Sequence, residues 1–347
     1  MYQKRGIMKK VAIVGLGFMG RMHYACWKKT RGAKVSAICD CNLAQLTKSR
    51  GGNQAGADDT TDFSGIEIFE DYDAMIQTGG FDIVDITLPT PLHPVMTQKA
   101  LQSGYHVLCE KPMALSLKEC DAMLSAAKQA KGQFMIAQCL RFWPEYVYIK
   151  QLIESNRYGV VKAADFSRFA AVPGWNTGGK SWFLDETKSG GVVFDMHIHD
   201  ADMVNFLFGM PETVTSRAHF RDDGLNDHLS TIYGFPNKVI TSSVSWAMPG
   251  TYVFGAELRV VFENAVVLMN TKANQPLTIY PAKGKPFTPK LQKATGYEAE
   301  IQYFLSLVNG TAKTHPLTPE DARASIELVC AERRSAQTNR TVTISKR

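Results

Sequence analysis

The sequence predicts two domains: an N-terminal α/β domain on a parallel sheet, then an α+β domain on a large open, mainly antiparallel sheet. Three observations carry this. Strand and helix patterns alternate up to about residue 140, the grammar of a parallel sheet with helices on both faces. Beyond it, strand follows strand with turn residues between, as at "FPNK". A chain of 347 residues also exceeds what one core usually organises. The boundary is placed so that the domains are 1–138 and 139–347.

The elements follow in order. "KVAIVGLG" is a continuous apolar run, as a strand covered on both faces requires. "FMGRMHYACWKKT" reads as a helix ending near Gly32, and "KVSAICD" as the second strand. "SRGGNQAGADDTTDFSG", rich in Gly and Asp, reads as a surface loop. A short strand "GIEIFE" and a helix "DYDAMIQTGG" precede the strong strand "FDIVDITLP" and the helix "LHPVMTQKALQSG". "YHVLCEKP", the helix "SLKECDAMLSAAKQA" and the strand "QFMIAQC" complete the first domain. The second opens with the helix "PEYVYIKQLIESN", Pro144 in its first turn. Six strands follow, over 159–170, 212–220, 228–235, 238–246, 257–263 and 265–270, interrupted by the apolar helix "GGVVFDMHIHDADMVNFLFG". Helices over 296–310 and 318–336 close the chain.

Composition narrows the function. A 45% hydrophobic and 21% charged chain is ordinary for a soluble enzyme. The net charge of +6 is spread out, without the concentrated basic patch that nucleic acid requires. Seven cysteines without a regular framework point to a reduced, cytoplasmic protein. The basic start before "VAIVGLGFMG" imitates a secretion signal, but the apolar part is Gly-interrupted and lacks a cleavage site. Met8 is a natural opening for the first strand. No apolar run reaches the roughly 18 residues of a membrane span.

Gly15, Gly17 and Gly20 have G-x-G-x-x-G spacing, between a strand and a helix, and Asp40 ends the next strand. That is the context of a dinucleotide-binding Rossmann domain. Gly15 permits the tight turn, and Gly17 lets backbone approach a pyrophosphate at the helix N-terminus, beside Phe18 and Met19. Gly20 lets helix and strand pack closely. Asp40 suits both ribose hydroxyls of NAD and repels the extra phosphate of NADP; its plain alternative is a solvated strand-end acid. Leu88, Pro89 and His93 follow another strand and are expected on the nicotinamide side, with Gln138 at the end of the last strand. A helix-start role for His93 stays open.

The apolar helix carries acids and histidines that burial would penalise unless they are paired. Asp195, His199 and Asp202 fall at i, i+4 and i+7, within about 60° of one another, while His197 and Asp200 fall well off that stripe. His197 and His199 point nearly opposite ways on a helix, so no metal site is expected there, nor at the lone Cys39/Cys41 pair. A catalytic acid–base pair and a satisfied structural pair are the two readings of Asp195 and His199. Arg141 follows the last parallel-type strand, where ligands gather, and is expected on substrate. Trp143 and Trp175 have the aromatic faces that stack on sugars. Glu110 and Lys111, pinned by Pro112 at a strand end, are either a strand-end salt pair or working residues.

Together, "GLGFMG", "ICD", "LPTPLH", "CEKP" and "SGGVVFDMHIHDADMVNFLFG" resemble the Gfo/Idh/MocA family, the glucose–fructose oxidoreductase and inositol dehydrogenase group. The resemblance covers nearly the whole chain. His197 stands where many members have glycine. It implies NAD as cofactor and a catalytic group of Lys111, Asp195 and His199. Lys111 would face the substrate carbinol beside the nicotinamide, with a cis bond to Pro112. Glu110 would orient the lysine or touch a cofactor hydroxyl. His199, with an ordinary pKa near about 6.5, suits the base that takes the hydroxyl proton. The implied activity is NAD-dependent interconversion of a secondary alcohol and a ketone on a sugar, sugar derivative or inositol-like polyol. The implied assembly is a homo-oligomer, tetramer or dimer. Three alternatives stay open: glycoside cleavage by transient oxidation, a non-catalytic NAD-binding regulator, and a diol or biliverdin-type reductase.

Overall fold

The computed structural model describes residues 8–42, 62–172 and 182–344. The loop read over 49–65 falls mostly outside these residues, and Trp175 lies outside them altogether. The chain divides into two compact units.

The first unit holds six parallel strands: β1 (Lys9–Val14), β2 (Ala33–Cys39), β3 (Glu67–Phe69), β4 (Ile83–Ile86), β5 (His106–Glu110) and β6 (Phe134–Ala137). Their order is β3-β2-β1-β4-β5-β6, so the sense in which the chain adds strands reverses between the parallel neighbours β1 and β4. Ligands in such sheets bind beyond the strand C-termini at that reversal. Helices α1 (Phe18–Lys29), α2 (Tyr72–Thr78), α3 (His93–Gln102) and α4 (Leu117–Gln129) connect the strands. β4 shows why its sequence is an unbroken apolar run around one acid: every residue from Ile83 to Ile86 is buried.

The second unit begins with α5 (Pro144–Glu154) and β7 (Val161–Ala171). It continues through α6 (Glu186–Ser189), α7 (Ile198–Phe208), β8 (Thr213–Phe220), β9 (Asn226–Phe235), β10 (Lys238–Met248), β11 (Gly255–Phe262), β12 (Ala265–Asn270) and β13 (Leu277–Pro281). Its sheet has eight strands, in the order β13-β12-β11-β7-β10-β9-β8-β14, where β14 is Val342–Thr343. The β7–β10 pair is parallel and the other ladders are antiparallel. The sequence reading has no strand for β13 or β14; the first is five residues ending in Pro281, the second only two residues long.

Two expectations need correction. The segment Thr295–Glu320 groups with the first unit, not with the second as the range 139–347 implied. Its helix, α8 (Gly296–Val308), packs on α1, where Lys29 meets Glu298 at 2.9 Å. The last helix, α9 (Pro319–Thr338), lies almost wholly in the second unit. The apolar helix over 190–209 is also not one regular helix. Gly190 and Gly191 turn the chain at φ 72° and 66°, conformations that glycine adopts freely. A π-helical turn, Val193–His197, then leads into α7. Among the described residues, no helix is long and apolar enough to cross a membrane.

The glycine motif generates a paired prediction. A Cβ on Gly20 collides with the Gly15 carbonyl and comes 2.9 Å from Thr87 Oγ1, whereas one on Gly17 meets nothing within 4 Å. Gly20→Ala is expected to cost about 1–3 kcal/mol in urea unfolding. Gly17→Ala, at φ −71°, is expected to unfold like the unmutated protein.

Candidate active site

The first unit gathers its candidate residues at or just past the ends of five adjacent strands. Gly15 follows β1 at φ 91°, and Thr87 Oγ1 donates to its carbonyl at 2.6 Å. The start of α1 has no side-chain cap, so its first N–H groups keep their donor capacity. Gly17, Phe18 and Met19 are partly open. The Asp40 carboxylate accepts from the backbone N–H of Leu16 at 2.7 Å and of Asn42 at 2.9 Å. It therefore braces the glycine turn, with acceptor sites left over for a ligand. Leu88 and Pro89, after β4, are half-buried. Gln138, after β6, is buried, and its amide nitrogen has no hydrogen-bond partner. An uncapped helix start, empty space over Gly17, an acceptor at Asp40 and an orphaned donor at Gln138 fit a dinucleotide.

His93 does something other than line a nicotinamide pocket. It is 1% exposed, with Nδ1 at 2.8 Å from the Pro112 carbonyl and Nε2 at 2.7 Å from the Leu88 carbonyl. Burial pulls its pKa below the ordinary histidine value against the pull of those carbonyls. Both ring nitrogens are engaged, so His93 ties two strand-end segments together. The expectation of a direct cofactor contact does not survive this geometry.

Glu110 is 5% exposed and Lys111 is half-buried, with a cis bond to Pro112. The Glu110 carboxylate accepts from the Lys111 backbone N–H at 3.0 Å, and its other oxygen lies 3.0 Å from His23 Nε2. His23 Nδ1 lies 3.0 Å from both oxygens of Asp85, to which Trp27 Nε1 donates at 2.7 Å. Burial alone would lower the His23 pKa, but the charges and hydrogen bonds of Asp85 and Glu110 hold it well above the ordinary value. Glu300, of α8, is fully buried and feels the same three groups; burial pushes its carboxyl well above the usual range. The sequence reading missed His23, Asp85 and Glu300. An acid inside an apolar strand, "FDIVDITLP", is the signal by which Asp85 could have been found.

The second unit sorts the charges of the apolar helix. His197 Nε2 meets Glu332 at 2.9 Å, with both side chains fully buried. Asp200 takes a two-pronged bond from Arg168, at 2.7 and 3.0 Å. Asp202 accepts from Arg141 Nη2 at 2.8 Å and from Ser325 Oγ at 2.7 Å. In the whole run Ser189–Val204, only Asp195 and His199 keep partial exposure. The stripe of three expected from α-helical spacing is thus a pair. Asp202 is inside, and the π turn alters the spacing ahead of it. Trp143 is half-buried at the start of α5. Among the described residues, no cluster of three or more His, Cys, Asp or Glu is placed to hold a metal.

Arg141 is 3% exposed and held by Asp202, with Asp321 at 3.5 Å and the Phe206 ring at 5.1 Å. This is the profile of a buried ion pair, not of the substrate contact expected from sequence. Removing one partner of such a pair typically costs about 3–5 kcal/mol. Arg141→Ala is expected to lose stability on that scale in urea titration. A substrate contact would instead raise KM and leave the unfolding curve in place.

Similarity to known proteins agrees with this arrangement. Residues 9–138 match an oxidoreductase family with an NAD-binding Rossmann fold, and residues 146–268 match the GFO/IDH/MocA C-terminal domain. The scyllo-inositol 2-dehydrogenase (NAD(+)) of Bacillus subtilis is 28% identical over 335 residues, 92% of this chain and 91% of that protein. The 2,7-anhydro-N-acetylneuraminate hydratase of Mediterraneibacter gnavus is 32% identical over 207 residues; the match spans 59% of this chain and 50% of the hydratase. A solved levoglucosan dehydrogenase, in complex with NADH and levoglucosan, shares the fold with a TM-score of 0.84 at 19% identity, covering 97% of this chain and 100% of that one. The chain belongs to the GFO/IDH/MocA family of oxidoreductases, and its cofactor is NAD.

Proposed function

We propose that the protein is an NAD-dependent dehydrogenase that interconverts a secondary alcohol and a ketone on a sugar, sugar derivative or inositol-like polyol. One observation carries this reading: within the buried run Ser189–Val204, the two residues left partly open are an acid and a histidine four positions apart. A structural pair has no reason to keep solvent access, whereas a pair that must meet a substrate does. Similarity to an inositol dehydrogenase along nine-tenths of the chain supports the substrate class.

The proposed catalytic group is Lys111, Asp195 and His199. His199 takes the hydroxyl proton, Asp195 orients that hydroxyl, and the Lys111 ammonium stabilises the developing alkoxide. The bound nicotinamide supplies the acceptor for the hydride. The turn Gly15–Gly20 holds the pyrophosphate, Asp40 the ribose, and the Gln138 amide donates to the nicotinamide end. Trp143 offers an aromatic face to the sugar. Asp40 would repel a 2′-phosphate, so NAD is preferred over NADP. The buried thiols of Cys26, Cys39, Cys109, Cys120 and Cys139 support a reducing cytoplasm.

A second reading has one specific support, the similarity to a hydratase over about half of that enzyme. There, oxidation would be transient, and NADH would not accumulate.

The test is NADH formation across inositols, aldoses, anhydrosugars and glycosides. Net NADH is expected with a polyol or sugar. Product release without NADH would favour the second reading. Lys111→Met and His199→Ala are each expected to lower kcat about 10²- to 10⁴-fold with NAD affinity intact. If Asp195 and His199 are only a structural pair, His199→Ala lowers the melting temperature and spares kcat. Equal kcat/KM with NAD and NADP would remove Asp40 as the discriminator.

We further propose that the eight-stranded sheet supports a homo-oligomer, a tetramer or dimer. Ile232 on β9 and Val239 on β10 are 58% and 61% exposed, an apolar surface that a second copy would cover. Light scattering at micromolar concentration is expected to give a multiple of the 38.5 kDa chain mass; a monomer would refute assembly.

A further inference from the structure

We infer that His23 is a positioning residue for Lys111, acting through the Glu110 carboxylate; the inference rests on Lys111 being catalytic. The path is continuous within the first unit. Trp27 Nε1 donates to Asp85 at 2.7 Å, Asp85 holds His23 Nδ1 at 3.0 Å, His23 Nε2 meets Glu110 at 3.0 Å, and Glu110 accepts the Lys111 N–H at 3.0 Å. His23 and Asp85 are 0% exposed, so bulk water does not replace the link between them.

The charge state of His23 follows from geometry. A neutral imidazole carries one N–H and one lone pair. Here each ring nitrogen faces a carboxylate, so a neutral ring would aim its lone pair at one of them. The imidazolium donates to both. It leaves each carboxylate with a fixed partner, so that both oxygens of Glu110 are held, one by His23 and one by Lys111. A carboxylate held at both oxygens cannot rotate, and the amide it accepts from is fixed with it. Burial pushes the carboxyl of Glu300, beside the cluster, well above the usual range, which disfavours a third anion around the imidazolium.

Packing alone would not call for this arrangement. Apolar side chains of similar volume hold buried elements together at least as well as ion pairs do. What they cannot supply is an acceptor for the backbone N–H of Lys111, at the residue where an ammonium must be placed closely to act on a developing alkoxide. A displacement of about 1 Å in such a group can cost about 100-fold in rate.

The experiment compares His23→Gln in the unmutated enzyme and in Lys111→Met, measuring kcat, KM and NAD affinity. In the unmutated enzyme, His23→Gln is expected to lower kcat about 10- to 100-fold with KM and NAD affinity unchanged. In Lys111→Met the same change is expected to leave the residual turnover as it was, because the group it positions is gone. A folded His23→Gln enzyme with undiminished kcat, or an equal fold-loss in both backgrounds, overturns the inference. Full turnover in Lys111→Met alone would instead overturn the catalytic reading of that lysine, so the two failures are distinguishable. Should His23→Gln not fold, Trp27→Phe removes only the outermost donor and keeps the imidazolium. It is expected to lower kcat by a smaller factor with the same dependence on Lys111. Unmutated kcat in a folded Trp27→Phe protein would then overturn the inference.

Discussion

A charge taken out of water must find a partner or be neutralised, a cation by losing its proton and a carboxylate by gaining one, and this requirement organises both units. On the helix after Gly191, His197 is matched by Glu332, Asp200 by Arg168 and Asp202 by Arg141. Those three pairings tie the helix to α9, to β7 and to the segment just before α5. With every other ionisable group of the helix committed inward, Asp195 and His199 are what remains at the surface. In the first unit the same requirement is met twice, by a histidine held between two carboxylates and by a carboxyl whose pKa burial raises.

Much of the fold was legible because its signals are local. The glycine spacing, the apolar parallel strands and the run of strands after residue 140 each depend on a few neighbouring residues. The structure shows the physical causes, from the positive φ of Gly15 to the contact that a Cβ on Gly20 would make. The site was legible where two residue types sit at helical spacing, as with Asp195 and His199. It was not legible where a side chain's job depends on a distant partner. Arg141 and His93 look like ligand contacts from their places after strands. Asp202, Asp321 and two backbone carbonyls claim them first, and none of these can be inferred from the neighbouring sequence. The π turn was invisible for a related reason. An extra residue in a turn alters no composition and only slightly shifts the apolar period.

Asp40 shows how a residue can serve structure and binding at once. Its oxygens accept the N–H groups of Leu16 and Asn42, so the acid proposed to read the ribose also shapes the turn proposed to hold the phosphates. On the proposed roles, changes at this position act on two parts of cofactor recognition together. An altered cofactor preference would come with altered affinity, unless a new residue restores the bond to Leu16.

The membership of α8 in the first unit bears on how the chain is made. Residues up to Cys139 and the stretch Thr295–Glu320 form one compact body, and Leu140–Ala294 lie between them in sequence. On the ribosome, the first five-sixths of that body must wait while 155 further residues are synthesised. Until α8 arrives, the face of α1 that it covers is open to solvent, along with the surroundings of Glu300. A discontinuous body of this kind pays its loop-closure entropy late. The N-terminal segment therefore completes its packing only once α8 has been made.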